Sequence, residues 1–264
     1  MHPFSFHHTS NINESVSLKK ENTDAKYVAG GQSLVGVLKL RLDQPTHLIN
    51  LGLIPELSGI SVEGNTLTIG AMTRHAEVAA SSVVKNAIPG LAQLAGLIAD
   101  RMVRNMGTIG GSVANNDPSA DYPAGLLGLN ATIVTNQREI KADDFFIGMF
   151  ETALESSELI QSIHFAKPVK SAYAKFKHPA SRYAVVGVFV AQLANEVRVA
   201  VTGAGSSVFR LPEYEAALTN NFSVSAIENI DVSSDDLNSD FFADSEYRAH
   251  LIKLMAMQAV TQAK

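Results

Sequence analysis

The sequence predicts an α+β fold in two parts, and three observations carry that prediction. Strand, helix and hairpin signals are mixed through residues 1–168, with a small α/β unit in about the first 55 and a second subdomain over 56–168. The pattern then changes: residues 169–264 hold three strand-like runs followed by helices, a compact α+β layer built on a three-stranded antiparallel sheet. Two glycine-rich loops, at 28–36 and 104–122, sit where strand or loop gives way to helix.

Taken in order, a short strand near Phe4–Phe6 precedes a helix from about Ile12 to Leu18. Tyr27-Val28 ends the next strand and leads into the first glycine loop. Val35, Leu38 and Leu42 keep helical spacing until Pro45, and Thr46–Leu51 alternates as a strand. Gly64-Asn65 between Ile60–Glu63 and Thr66–Ile69 marks a hairpin. Thr73 is placed to cap the next helix, and His75 then reads as a partly exposed first-turn histidine. Pro89 opens a helix whose Leu91, Leu94, Ala95 and Ile98 form a buried stripe. Its end brings Arg101 and Arg104 towards the second glycine loop, where they read as surface or partner-facing charges ahead of diphosphate ligands.

Beyond that loop, Pro123 starts an apolar run expected as a short helix beneath it. Thr132–Val134 and Ile140 bracket another hairpin, and Leu159–Phe165 is the last strand before the linker Lys167-Pro168-Val169-Lys170. Tyr173–Lys177, Ala184–Leu193 and Val197–Val201 are the three strands of the final part. A helix starts at Pro212, and Tyr247, Leu251, Leu254 and Met255 form one apolar face of the last helix, which Ala259 extends by a turn.

Composition bounds the chemistry. A chain of 264 residues, 46% apolar and 18% charged, is globular with a sizeable core. Net charge of −5 gives no electrostatic support for nucleic-acid binding. Without cysteine there is no disulfide, cysteine-held iron–sulfur cluster or thiolate zinc site in this chain. The N-terminal residues lack the pattern of a signal peptide and no stretch has the length of a membrane span, so the expected location is cytoplasmic.

The loops point to a ligand. Val28-Ala-Gly-Gly-Gln-Ser-Leu-Val-Gly36 lies at a strand-to-helix turn, where the helix dipole and free N–H groups favour an anion. Arg104-Asn-Met-Gly-Thr-Ile-Gly-Gly-Ser-Val-Ala-Asn-Asn-Asp-Pro-Ser-Ala-Asp-Tyr122 contains no lysine, so its backbone is expected to do most of the anion binding, helped by the Thr, Ser and Asn side chains. Asp121, near its end and past the glycines, suits a ribose or ribityl hydroxyl. Either loop alone reads as an ordinary glycine turn; the two together read as holding one pyrophosphate. Neither carries the Walker or Rossmann glycine spacing, and Gly203-Ala-Gly-Ser-Ser207 is not a nucleophile elbow.

Ala29-Gly-Gly-Gln-Ser-Leu34 and Gly107-Thr-Ile-Gly-Gly-Ser112, followed by Asp117-Pro-Ser-Ala-Asp121, resemble the two flavin loops of the FAD-binding medium subunit of molybdenum hydroxylases. That family includes the carbon monoxide dehydrogenase medium subunit and the flavin domain of xanthine dehydrogenase. The resemblance runs almost end to end. It implies a two-subdomain PCMH-type FAD-binding domain over 1–168, followed by a smaller C-terminal domain over 169–264.

Carried over by position, it implies that Ala29, Gly30, Gly31, Gln32, Ser33 and Leu34 form the first FAD loop. Thr108, Gly110, Gly111, Ser112 and Asn115 form the second, and Asp121 reaches the ribityl or ribose region. Lys175 matches a position that approaches the flavin from the C-terminal domain, or is a surface lysine on an edge strand. Tyr183 matches an aromatic against the isoalloxazine, or is a core tyrosine at a strand start.

Gln32 stands where flavoproteins of the wider fold have a histidine able to bond to flavin, so FAD is expected to be non-covalent. The resemblance further implies an oxidoreductase subunit that transfers electrons, with no metal and no catalytic residue of its own. Its partners would be an iron–sulfur small subunit and a molybdopterin large subunit in a dimerised heterotrimer, with quinone or NAD as acceptor. A stand-alone flavin reductase or oxidase, and a non-enzymatic nucleotide-binding module, remain the alternatives.

Overall fold

The computed structural model describes residues 1–264. Its first unit runs β1 (Ser5–His8), α1 (Ile12–Glu21), β2 (Lys26–Val28), α2 (Leu34–Lys39), β3 (His47–Asn50). The three strands form a parallel sheet with β3 in the middle. Asn11 starts α1 by accepting the Glu14 N–H on its side chain. Helix α2 is shorter than its apolar spacing suggested. Arg41 takes a left-handed conformation (φ 59), and the Arg41 and Leu42 N–H groups bond back to Leu38 and Val37, so the chain closes in a Schellman-type turn with Arg in the usual glycine position.

The second unit begins with the expected hairpin, β4 (Ile60–Glu63) and β5 (Thr66–Gly70). Gly64 supplies the positive φ its two-residue turn requires. Six short helices follow: α3 (His75–Ala80), α4 (Ser82–Ala87), α5 (Pro89–Leu97), α6 (Arg101–Met106), α7 (Ile109–Asn115) and α8 (Tyr122–Gly128). Next come β6 (Thr132–Thr135), β7 (Glu139–Lys141), α9 (Ala142–Phe145), the small pair β8 (Phe146–Gly148) and β9 (Glu151–Thr152), and β10 (Ile160–Ala166).

The five-stranded antiparallel sheet has the order β4-β5-β10-β6-β7. Its register aligns one isoleucine from every strand, Ile60, Ile69, Ile163, Ile133 and Ile140, in a row across the sheet. That row packs on the buried faces of α3, α5, α7 and α8, through Val78, Leu91, Leu94, Ile109, Val113 and Leu126.

The last unit is β11 (Lys170–Lys177), β12 (Ala184–Gln192), β13 (Val197–Thr202), β14 (Phe209–Arg210), α10 (Pro212–Asn220) and α11 (Ser245–Gln262). A short fourth strand, β14, thus joins the three expected ones. Strand β12 is almost continuously apolar because both faces are covered. Phe189 and Ala191 join the core under α5 and α8, while Val188 and Val190 pack with Tyr214, Leu218 and Ile252 from the helices on the other side.

The expected apolar face of α11 needs correction. Leu251 and Ala259 are buried as expected, but Tyr247 and Leu254 are exposed; Ile252, Ala256 and Val260 complete the buried stripe. The helix is apolar on several sides, so two neighbouring stripes satisfy the period. The one with alanines lets it lie closest to the sheet. No helix is long and apolar enough to cross a membrane.

Candidate functional site

A cavity of about 820 Å³ lies where the three units meet, a size suited to a cofactor. The first unit contributes its glycine loop, the second its α6–α7 segment, and the third the β11–β12 connection, residues 180–183.

The first loop leaves its backbone open. None of the N–H groups from Ala29 to Leu34 has a partner in the protein. Gly31 is left-handed (φ 70), which turns the chain, and the Gln32 side chain bonds to the Gly30 carbonyl at 3.1 Å, bracing the turn. Ser33 sits at the start of α2 without capping it. A run of unpaired N–H groups on a cavity wall is a nest for phosphate-type oxygens.

The second loop is built the other way, and here the sequence expectation fails. Its N–H groups are consumed within the protein: Ile109 donates to Thr73 O (3.1 Å), Gly110 to Ala71 O (2.8 Å), Gly111 to Thr108 Oγ1 (3.2 Å) and Ser112 to Thr108 O (3.1 Å). Thr108 is therefore a helix N-cap, and its own N–H is the one left unpaired between Gly107 and Ser112. The loop offers the cavity side chains instead, with Ser112 and Asn115 on the wall.

Glycines join the two loops. A Cβ on Gly30 would overlap the Met106 carbonyl oxygen, and one on Gly111 would stand 3.4 Å from the Ala29 Cβ. On the far side of the second loop, a Cβ on Gly107 would lie 2.6 Å from His75 Nε2. First loop, second loop and imidazole thus stack in layers.

His75 is not the partly exposed residue expected. It is buried, on the cavity wall, and tilted against Tyr122 at 5.4 Å between ring centroids. Burial, aided by the Arg104 charge, pushes its pKa down to about 4, so it is neutral at physiological pH. Thr73, expected to cap α3, instead bonds both the N–H and the carbonyl of Gly59 through its hydroxyl. The helix starts at Arg74, whose N–H is held by Glu77 (3.0 Å).

Asp121 lines the cavity as half of an ion pair. Its carboxylate accepts from the Tyr173 hydroxyl (2.6 Å) and from Lys175 Nζ (2.9 Å). Burial pushes its pKa up, opposed by the Lys175 charge and by both hydrogen bonds. Lys175 is neither a surface lysine nor a cavity residue: its ammonium is buried behind Asp121 and also reaches the Leu97 carbonyl at 3.3 Å. Tyr183 is half-exposed on the wall rather than in the core, and burial together with Asp117 and Asp121 raises its pKa.

All the loop residues named from sequence therefore meet at one cavity, with Asp121 and Tyr183; Lys175 stands one layer back. Arg101 and Arg104 do not line it, and Arg104 clasps its own turn through Ile98 O (2.6 Å) and Ala99 O (3.2 Å). Sequence reasoning missed Arg182, a left-handed residue (φ 64) on the wall that makes no ion pair. Its place beside Tyr183 was the available signal.

Residues 2–168 match the family model of the FAD binding domain in molybdopterin dehydrogenase. The chain is 34% identical to the carbon monoxide dehydrogenase medium chain of Hydrogenophaga pseudoflava, over 98% of this chain and 96% of that one. It is 32% identical to the glyceraldehyde dehydrogenase medium chain of Sulfolobus acidocaldarius, over 97% and 96%. Among solved structures, reconstituted CO dehydrogenase from Oligotropha carboxidovorans superimposes with a TM-score of 0.89 at 30% identity, over 99% of this chain and 98% of that one.

Proposed function

Since the chain belongs to the family of FAD-binding domains of molybdopterin dehydrogenases, we propose that it is the flavoprotein subunit of an oxidoreductase complex. In this reading it takes electrons from an iron–sulfur small subunit, itself served by a molybdopterin large subunit, and hands them to an external acceptor such as quinone or NAD. The complex is a dimerised heterotrimer in the cytoplasm. Residues 1–168 hold the cofactor, and residues 169–264 close the cavity from the other side.

The observation that carries the reading is the unbroken set of open N–H groups from Ala29 to Leu34 on the cavity wall. It fits the FAD diphosphate, which needs many donors and no covalent partner. Thr108, Ser112 and Asn115 add neutral hydrogen bonds from the second loop. Gln32 offers an amide in place of a nucleophile, which supports non-covalent binding. Tyr183 gives a half-exposed ring at the wall for stacking. Asp121, neutralised by Lys175, meets a sugar or ribityl hydroxyl without repelling the diphosphate as a bare carboxylate would. Bound FAD supplies the one- and two-electron chemistry, and the protein's part is to hold, orient and shield it. This chain has no cysteine with which to bind iron–sulfur clusters, consistent with their residing in another subunit.

The test is a visible spectrum of the purified chain after incubation with FAD and gel filtration. Flavin absorbance should travel with the protein, and acid precipitation should release it into the supernatant. A chain that stays colourless even with its partner subunits present overturns the reading.

A further inference from the structure

Buried polar atoms in folded proteins nearly always find partners, and an exception calls for a ligand, a water or a function. Two side-chain exceptions lie side by side under the second loop: His75 Nδ1 and the Tyr122 hydroxyl. Tyr122 is sealed in the core. His75, 5% exposed, is on the cavity wall. Its backbone is fixed by donation to Gly107 O (3.0 Å), and its ring is wedged between Gly107 and Tyr122. Nδ1 is sealed without a partner, and Nε2, which lies against Gly107, has no hydrogen-bond partner in the protein either.

The surroundings keep this ring uncharged. The α5 helix packed on α3 carries no ionisable residue. From α6 comes Arg104, whose charge opposes protonation, and from α4 only the exposed Lys85. Asp121, next to Tyr122 on α8, is already matched by Lys175. A neutral imidazole has one N–H to give. One peptide away, Thr108 N–H is the single unpaired backbone donor of the second loop.

We infer that His75 is a cofactor-contacting residue, donating Nε2–H to an oxygen of the bound ligand beside Thr108 N–H. The inference rests on the FAD reading above. It gives the second loop, whose other N–H groups are spent, a direct hand in binding.

The experiment is a flavin-fluorescence titration of the full, deflavinated chain with FAD, comparing wild type, His75→Gln and His75→Leu, with the melting temperature of each apoprotein recorded. The Gln amide reaches the Nε2 position, so His75→Gln should bind within about threefold of wild type. His75→Leu should lose about tenfold or more at a similar melting temperature. Equal affinity for wild type and His75→Leu overturns the assignment alone. Failure of wild type to take up FAD overturns the FAD reading and the assignment with it. If His75→Leu does not fold, the imidazole nitrogens of wild type labelled with ¹⁵N-histidine decide. FAD should move the Nε2–H resonance, and an unmoved resonance overturns the proposal.

Discussion

The two glycine loops carry nearly the same short motif, Gly-Gly-Gln-Ser in one and Gly-Gly-Ser in the other, yet they spend their backbones in opposite ways. The first keeps six successive N–H groups, Ala29 to Leu34, free for a ligand. The second gives its N–H groups to Thr73, Ala71 and Thr108, and so becomes the fixed surface on which the first loop leans. A glycine motif therefore marks where backbones come close without saying what they come close to. At Gly31 the glycine serves a left-handed turn; at Gly30 and Gly110 it makes room for another segment of the same chain.

If the first loop is propped by the second, the largest effect should come from Gly30→Ala. The added methyl collides with the Met106 carbonyl, a backbone atom that cannot rotate away. We expect more than about 4 kcal/mol of destabilisation in denaturant unfolding, or loops forced apart with FAD uptake abolished. A variant that melts and binds like wild type would show the loops to be independent.

Acid should act next, through the support of the second loop. His75 titrates near 4 in the fold against about 6.5 unfolded, so between these values the unfolded chain binds the extra proton. This contribution is complete above about pH 6.5 and is lost as pH falls towards 4, by about 3 kcal/mol in total. His75→Gln should flatten that part of the stability–pH curve, and a curve unchanged by the substitution would remove the claim.

The smallest effects sharpen the contrast most. Thr108→Ala removes a helix cap and should cost about 1 kcal/mol of stability. Ser33→Ala removes a hydroxyl that caps nothing, so stability should stay within about 0.5 kcal/mol while FAD affinity drops about fivefold to tenfold. Identical profiles for the two variants, in melting and in FAD titration, would erase the distinction between a donating loop and a supporting one.

Much of this was legible because it is local. The Gly64-Asn65 hairpin, the Pro89 helix start and both glycine loops are set by residues within a few positions of one another, where turn chemistry and periodicity operate. What escaped depends on distant neighbours. Lys175 looks like an edge-strand lysine until the fold brings Asp121, 54 residues earlier, against it. His75 looks like a surface first-turn residue until Gly107 and Tyr122 close over it. Spacing could not show that the Ile109 and Gly110 amides are already committed, because their acceptors, Thr73 O and Ala71 O, lie on the β5–α3 turn. The buried face of α11 was misplaced for a related reason: several stripes are apolar, and only the sheet beneath selects one.

The seam between the first unit and the rest has a consequence for dynamics. Beyond the loops themselves, the buried apolar join there is a cluster of only four residues, Leu51, Ile54, Leu57 and Leu159, and the sheet it anchors has strands of three or four residues. Opening of that lobe then lies at the low end of the molecule's local unfolding energies, and a ligand spanning the cavity adds its binding energy to the barrier against opening. Amide exchange in β1, β2 and β3 thereby becomes an occupancy gauge, slow in molecules that hold cofactor and fast in those that have lost it.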